Sequence, residues 1–157
     1  MVYLNFFFRF TFLIIWVVLG FLALLLISPP RMANIKKKVI RYWSKILLLL
    51  IGLRVICKGE KNELPEYPFI VVANHISWVD IFVLLSVLPI SFIAKIEIKK
   101  WFFLGYLVEM AGTIFIDRNR RKSVLEVAKR ITQKSVDNKN SYAFFPEGKT
   151  STGKTIQ

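Results

Sequence analysis

Hydrophobic and polar residues divide the chain into three stretches with different patterns. Residues 10–27 form an uninterrupted apolar run of 18 residues, with one Thr, one Gly and no charge. Residues 31–58 mix cations with apolar residues, and from about residue 59 short apolar runs alternate with amphipathic stretches. The pattern therefore predicts an anchor over residues 1–30, a basic segment over 31–58 and a folded domain over 59–157.

The apolar run has the length of a membrane-spanning segment. As a helix it would be about 27 Å long, close to the roughly 30 Å hydrocarbon core of a bilayer. Arg9 lies at its start, and Ser28-Pro29-Pro30 ends it. A signal peptide fits less well, because the run is long, the charge before it is small and no small-x-small cleavage site follows. We expect a transmembrane helix or, with the next segment, a re-entrant helix hairpin.

The basic segment holds eight Lys and Arg residues and no Asp or Glu, whereas only Arg9 precedes the apolar run. The positive-inside rule then places everything after residue 30 on the cytoplasmic side of the membrane. Residues 34–56 are apolar and basic, with Tyr42 and Trp43 suited to the headgroup region. We predict an interfacial helix whose cations contact an anionic leaflet. The alternative is a helix that packs on the first one or on the folded domain.

The third stretch alternates between strand-like and helix-like patterns. The predicted strands are 69–73, 91–94, 113–116 and 142–145, and the predicted helices are 78–88, 95–110 and 120–136. Residues 69–73 are apolar throughout, as in a buried strand, and the last helix carries an apolar stripe of Val124, Leu125, Val127, Ala128 and Ile131. Such alternation is typical of an α/β domain with a parallel or mixed sheet flanked by helices.

Composition adds a preference for a membrane surface. The chain of 157 residues is 55% hydrophobic with a mean hydropathy of +0.50, and 23 Lys and Arg stand against 10 Asp and Glu. A chain that is both basic and this apolar favours an anionic membrane over nucleic acid as its partner. The single cysteine, Cys57, rules out an internal disulfide.

Candidate catalytic residues follow the first predicted strand. His75 is the only histidine, and Asp80 follows it after four intervening residues. An imidazole is a suitable base near neutral pH for a hydroxyl proton, and a carboxylate can orient it and stabilise the imidazolium. Alternatively, Ser77 and Asp80 form a helix capping box and His75 is structural. The two interpretations are compatible, because a capped Asp80 would be held close to His75.

Two more strand ends carry polar residues. Arg118 follows the predicted strand 113–116, and Glu147-Gly148-Lys149 follows the predicted strand 142–145. Parallel α/β sheets bind ligands where their strands end, and a guanidinium binds phosphate bidentately. The alternatives are a surface ion pair between Arg118 and Asp117, and a tight turn that needs Gly148.

The three groups stand in order as Asn74-His75-Ile76-Ser77-Trp78-Val79-Asp80, Phe115-Ile116-Asp117-Arg118 and Phe145-Pro146-Glu147-Gly148. Together they resemble the glycerolipid acyltransferases of the lysophosphatidate acyltransferase type, over roughly residues 55–155. The resemblance implies that His75 deprotonates the acceptor hydroxyl and that Asp80 orients it. It implies that Arg118, Glu147 and Gly148 position the acceptor's phosphate, where Lys149 adds a point charge. The donor would be acyl-CoA or acyl-ACP, and no metal or other cofactor is expected.

Two departures from the family pattern matter. The third block continues as E-G-K-T-S, where the family has E-G-T-R-S, so that Thr150 stands in place of Arg. The acceptors we expect are therefore 1-acyl-sn-glycerol-3-phosphate or another lysolipid, either a lyso-phospholipid or a lyso-aminolipid. Members of the family continue into further strands, so we expect this chain to lack the C-terminal part of the domain. A non-catalytic protein that binds anionic membranes is the alternative from another class.

Overall fold

The computed structural model describes residues 2–27, 32–59, 66, 68–102, 104–138 and 140–147. Its helices are α1 (Val2–Leu26), α2 (Ala33–Leu50), α3 (Val79–Val87), α4 (Ile96–Lys99), α5 (Leu104–Met110) and α6 (Arg121–Asn138). Its strands are β1 (Ile70–Val72), β2 (Ile90–Lys95), β3 (Ile114–Ile116) and β4 (Ser141–Phe144). The predicted α/β class with a preceding apolar helix is confirmed. Two compact units are present: unit 1 contains Met1–Cys57 and Ile81–Pro89, and unit 2 contains Lys58–Asp80 and Ile90–Gln157.

In unit 1, helix α1 contains the predicted apolar run. Its segment Phe7–Leu26 has a mean hydropathy of 2.4 and is, in the part of the chain that the structure describes, the helix long and apolar enough to cross a membrane. Only 6% of that segment is buried, and large side chains such as Phe12, Val18 and Leu22 are exposed. Exposed apolar surface of this extent is typical of a helix that lies in a membrane.

Helices α1 and α2 are joined by a reciprocal pair of tryptophans. The indole Nε1 of Trp16 donates to the carbonyl of Trp43 at 3.1 Å, and that of Trp43 donates to the carbonyl of Trp16 at 2.9 Å. The ring of Trp43 lies against Gly20, where any side chain would collide with it. A glycine at a helix contact allows this close approach between backbones.

Helix α2 ends earlier than the predicted 34–56. Gly52 adopts a left-handed φ of +83°, and the N–H groups of Gly52 and Leu53 donate to the carbonyls of Leu49 and Leu48 at 3.0 and 2.8 Å. This is a Schellman termination, which satisfies carbonyls of the last helical turn. Glycine reaches this φ without the steric cost of a Cβ, so Gly52 sets the end of the helix.

The inner face of α2 packs within unit 1. Ser44, Leu47 and Leu48 are buried, and the Trp43 ring meets Phe82 edge to face at 5.7 Å between centroids. Arg41 Nε donates to the carbonyl of Ser86 at 3.2 Å. This face of α2 therefore packs against protein, which is the alternative to an interfacial helix that the sequence left open. Burial lowers the pKa of Lys37 below its ordinary value. An interfacial role for the cations of α2 stays a prediction.

In unit 2, the described strands form a four-stranded sheet in the order β1-β4-β2-β3, and each of the three pairings is parallel. Strand β4 is central: Ala143 is in register with Val71 of β1 and with Phe92 of β2. Because parallel strands end at the same edge, the residues that follow β1, β3 and β4 meet at one edge of the sheet.

The core of unit 2 lies between the sheet and α6. Ile114, Val127 and Tyr142 form a buried cluster, against which Ile93, Ile116 and Ile131 pack. Burial raises the pKa of the Tyr142 hydroxyl, and a hydrogen bond with Asn140 opposes the shift. Ser141 Oγ accepts the N–H of Phe69 at 3.0 Å and thereby ties the start of β4 to the residue before β1.

Three sequence predictions about unit 2 were wrong in detail. The predicted helix 95–110 is two helices, because Gly105 packs against the carbonyl of Lys99 and lets α5 fold back on α4. On α6, Val127 is buried, whereas Val124, Leu125 and Ala128 of the predicted stripe are exposed. Strand β1 is not fully buried: it lies at a sheet edge, and Ile70 and Val72 are exposed.

Candidate active site

The segment after β1 wraps around one carboxylate oxygen. Asp80 Oδ2 accepts the N–H groups of Ile76 at 2.7 Å and Ser77 at 2.8 Å, and it lies 3.1 Å from Nδ1 of His75. Ser77 Oγ in turn accepts the N–H of Val79 at 3.2 Å, which completes the predicted capping box at the start of α3. The cap and the His75–Asp80 pair therefore coexist, since the cap fixes the carboxylate that the imidazole contacts.

The contact sets the proton arrangement of His75. An ionised carboxylate only accepts hydrogen bonds, so in a neutral imidazole the Asp80 contact favours the tautomer with its hydrogen on Nδ1 and a lone pair on Nε2. The His75 side chain is 16% exposed, which leaves part of the ring accessible. An oriented neutral imidazole with a free Nε2 is the form that a general base requires.

Phe145 is a site residue that the sequence did not identify. Its ring stacks on the imidazole of His75 with 4.0 Å between centroids and 13° between planes, and Phe92 lies on Phe145 at 5.8 Å. The ring of His75 is thus restrained by a hydrogen bond at its edge and an aromatic ring on its face. The available signal was an aromatic residue directly after a strand that ends at the candidate site.

Arg118 reaches the same part of the chain from β3. Its Nη2 donates to the carbonyl of Phe145 at 3.3 Å, and the side chain is otherwise exposed. Asp117 Oδ1 accepts the N–H of Asn119 at 3.1 Å, and no ion pair links Asp117 to Arg118 among the residues described. The surface ion-pair alternative is therefore not supported. A guanidinium carries five N–H donors, so most of those of Arg118 stay available to a ligand.

Glu147 contributes an unsatisfied acceptor. Its Oε2 is buried and has no hydrogen-bond partner within the described part of the chain. Buried carboxylate oxygens are usually hydrogen-bonded, so an orphan one beside a candidate site suits a donor group of a ligand. The two other predicted binding residues, Gly148 and Lys149, lie outside the described residues.

The structure thus brings His75, Asp80 and Arg118 together through Phe145, with Glu147 two residues further along. Chemically this is a base, its orienting carboxylate and an exposed guanidinium. Among the described residues, no cluster of three or more His, Cys, Asp or Glu side chains could hold a metal ion. The arrangement can remove a proton from a hydroxyl group near a bound anion.

Comparison with known proteins gives the class. The sequence pattern of the Acyltransferase family matches residues 54–156, and the chain therefore belongs to this family. Among its relatives is a 1-acyl-sn-glycerol-3-phosphate acyltransferase of Neisseria gonorrhoeae, 46% identical over 57% of this chain and 35% of the relative. A lyso-ornithine lipid O-acyltransferase of Rhizobium meliloti is 34% identical over 74% of this chain and 39% of that enzyme.

A solved structure supports the fold. The 1-acyl-sn-glycerophosphate acyltransferase PlsC of Thermotoga maritima aligns with a TM-score of 0.67 at 23% identity, over 97% of this chain and 61% of that one. The resemblance to glycerolipid acyltransferases found in the sequence is confirmed. The chain spans little more than a third of the length of the Neisseria and Rhizobium relatives.

Proposed function

We propose that this chain carries the base of an acyltransferase that moves a fatty acyl group from a thioester donor to the free hydroxyl of a lysoglycerolipid. The product from 1-acyl-sn-glycerol-3-phosphate would be phosphatidate. The observation that carries the proposal is the Asp80 carboxylate, which contacts His75 Nδ1 while two backbone N–H groups hold it in place.

The proposed step needs no covalent enzyme intermediate. His75 Nε2 takes the proton of the acceptor hydroxyl as its oxygen attacks the thioester carbonyl carbon. The tetrahedral intermediate then expels the thiolate of CoA or the carrier protein, which recovers a proton from the imidazolium. A base of this kind contributes typically about 10²–10⁴-fold to the rate, and Asp80 stabilises the imidazolium.

Membrane association follows from α1, and the excess of cations after residue 30 supports a cytoplasmic location for unit 2. An acceptor that resides in the bilayer and a donor that is soluble in the cytoplasm would meet at this surface. Acyl-CoA and acyl-ACP are both candidates for the donor.

A second acceptor class is favoured by two observations. Lyso-ornithine lipid O-acyltransferases of Rhizobium meliloti and Pseudomonas aeruginosa are 34% and 33% identical to this chain. The third block also has Thr150 where the family pattern places an Arg, which removes one guanidinium that suits a phosphate. The proposed acceptors are therefore 1-acyl-sn-glycerol-3-phosphate and, as the alternative, another lyso-phospholipid or a lyso-aminolipid.

The direct test is to reconstitute the full 157-residue chain in vesicles, supply labelled acyl-CoA or acyl-ACP, and offer lysophosphatidate, lyso-phospholipids and lyso-ornithine lipid in parallel. We expect one lysolipid to become acylated, and His75→Ala to abolish transfer without releasing the chain from the vesicles. Transfer by His75→Ala at an unchanged rate would contradict the proposal.

Arg118→Lys separates the two acceptor classes. Lysine keeps the charge but cannot form the bidentate contact of a guanidinium. If Arg118 binds a phosphate monoester, the variant should lose about 10-fold or more in kcat/KM on lysophosphatidate and much less on lyso-ornithine lipid. An equal loss on both acceptors would show that Arg118 does not select the headgroup.

A further inference from the structure

Unit 2 exposes an aromatic turn that the candidate site does not use. Trp101 and Phe102 lie between α4 and α5, and Tyr106 follows on α5. Phe102 is 98% exposed, and Trp101 and Tyr106 are more than half exposed. We call these three residues the aromatic turn. Single exposed apolar residues are common, but three exposed aromatics among the described residues of positions 101–106 are a concentration of apolar surface that suits a partner.

Backbone hydrogen bonds and one ion pair hold the turn between α4 and α5. The N–H groups of Lys100 and Trp101 each donate at 3.1 Å to the carbonyls of Glu97 and Ile98, and Gly105 donates to the Trp101 carbonyl at 2.9 Å. Lys99 Nζ is 2.7 Å from Glu109 Oε1, which ties α4 to α5.

The residue types indicate which partner covers the patch. Trp and Tyr favour the boundary between lipid headgroups and acyl chains, because each has an apolar ring and a polar atom. Within seven residues of Phe102, Lys95, Lys99 and Lys100 stand against Glu97 and Glu109, so the net charge of +1 is too small to favour nucleic acid or an acidic protein. Helix α1, which is long and apolar enough to cross a membrane, would bring the same chain to a bilayer.

We propose that the aromatic turn is a second membrane contact, in which Trp101, Phe102 and Tyr106 enter the headgroup region of a lipid bilayer independently of α1. The contact is apolar rather than electrostatic, because the charges around the turn nearly balance. It would hold unit 2 against the surface that contains its lipid acceptor; that consequence rests on the proposed function, whereas the contact itself does not.

The test measures where the tip of the turn lies. A nitroxide is attached to Phe102→Cys in a Cys57→Ser background, since Cys57 is the only cysteine and is exposed. The full chain is reconstituted in phosphatidylcholine vesicles with and without phosphatidylglycerol, and the collision rates of the label with oxygen and with a water-soluble nickel chelate are compared. The control label is placed at Leu125→Cys, an apolar position on α6 that is 60% exposed.

We expect the label at 102 to favour oxygen over nickel in both kinds of vesicle and at high salt, and the label at 125 to favour nickel. A label at 102 that nickel reaches as readily as at 125 would place the turn in water and overturn the proposal. A label shielded from both reagents would show that protein covers the turn, which also overturns it.

A second measurement uses the native tryptophan. Phosphatidylcholine brominated near the carbonyl end of its acyl chains should quench Trp101, so the Trp101→Phe variant should lose part of the quenchable emission. The same quenchable emission in the variant and the unmodified chain would mean that Trp101 does not reach the lipid. Because this readout needs no turnover, it fails separately from the acyltransferase proposal.

Discussion

Unit 1 and unit 2 are built from the same apolar residue types but place them differently. In α1, the segment Phe7–Leu26 is only 6% buried, and its Phe, Leu, Ile and Val side chains largely face outward. In the sheet of unit 2, Ile114, Tyr142 and Ala143 are almost completely buried. The first arrangement is stable only in an apolar environment, and the second makes its own apolar environment.

This difference shows what each unit can specify. The exposed apolar side chains of α1 suit an apolar environment without fixing one position within it. The Trp16–Trp43 pair is a specific contact that joins α1 to α2. The sheet of unit 2 fixes the positions of individual atoms, such as Asp80 Oδ2 within 2.7–3.1 Å of three groups. Chemistry that needs atoms placed to within about an ångström therefore belongs to unit 2.

Asp80→Asn is expected to give the largest difference between the two units, with a loss of acyl transfer by unit 2 and no change in membrane binding through α1. The amide removes the charge that stabilises the imidazolium, and it offers its three hydrogen-bonding neighbours a weaker acceptor. We expect acyl transfer to fall by about 10²-fold and the unfolding free energy of unit 2 to fall by about 1–3 kcal/mol. Initial rates and urea unfolding measure the two effects, and vesicle binding through α1 should not change.

Ser77→Ala is the matched control, because it removes the Oγ cap on Val79 and leaves the Asp80 carboxylate in place. It should cost about 0.5–2 kcal/mol in stability and leave the rate close to that of the unmodified chain. A loss of rate as large as that of Asp80→Asn would mean that Asp80 acts only as a helix cap.

A smaller effect is expected from Phe145→Leu, compared with Phe92→Leu. Both rings are buried to the same degree, with 9% and 8% exposure, but only Phe145 stacks on His75. Each variant should lose about 1 kcal/mol in unfolding free energy. Only Phe145→Leu should also lower kcat, by about 10-fold, with KM unchanged. Equal values of kcat in the two variants would show that the stack does not position the imidazole.

The elements of unit 2 were largely predictable from the sequence. Each of the four described strands overlaps its predicted range, because short apolar runs between polar segments are a local signal. The capping box was also visible, since Ser77 and Asp80 have the required spacing. Local spacing therefore sufficed wherever a contact joins residues a few positions apart.

Contacts between distant residues were not predictable. The Phe145–His75 stack joins positions 70 residues apart, and it depends on the placement of β4 beside β1, which the strand order alone determines. The break between α4 and α5 was missed because the hydrophobic pattern continues across it. The exposed Leu125 shows that the apolar stripe of a helix sequence can be wider than the face that packs.

The smallest effect on acyl transfer is expected from changes inside unit 1, and Gly20→Ala tests this. The added methyl group collides with the Trp43 ring, so the two indole hydrogen bonds should break at a cost of about 1–3 kcal/mol. Near-ultraviolet circular dichroism and tryptophan emission should change, while transfer measured in detergent should stay the same.

Gly52→Ala is the control. Its φ of +83° costs an L-residue about 1–2 kcal/mol. Its methyl group has open space and does not touch the tryptophan pair, so the tryptophan spectra should not change. If Gly20→Ala instead lowers transfer as much as Phe145→Leu does, the tryptophan pair supports the candidate site, and the functional separation of the two units is wrong.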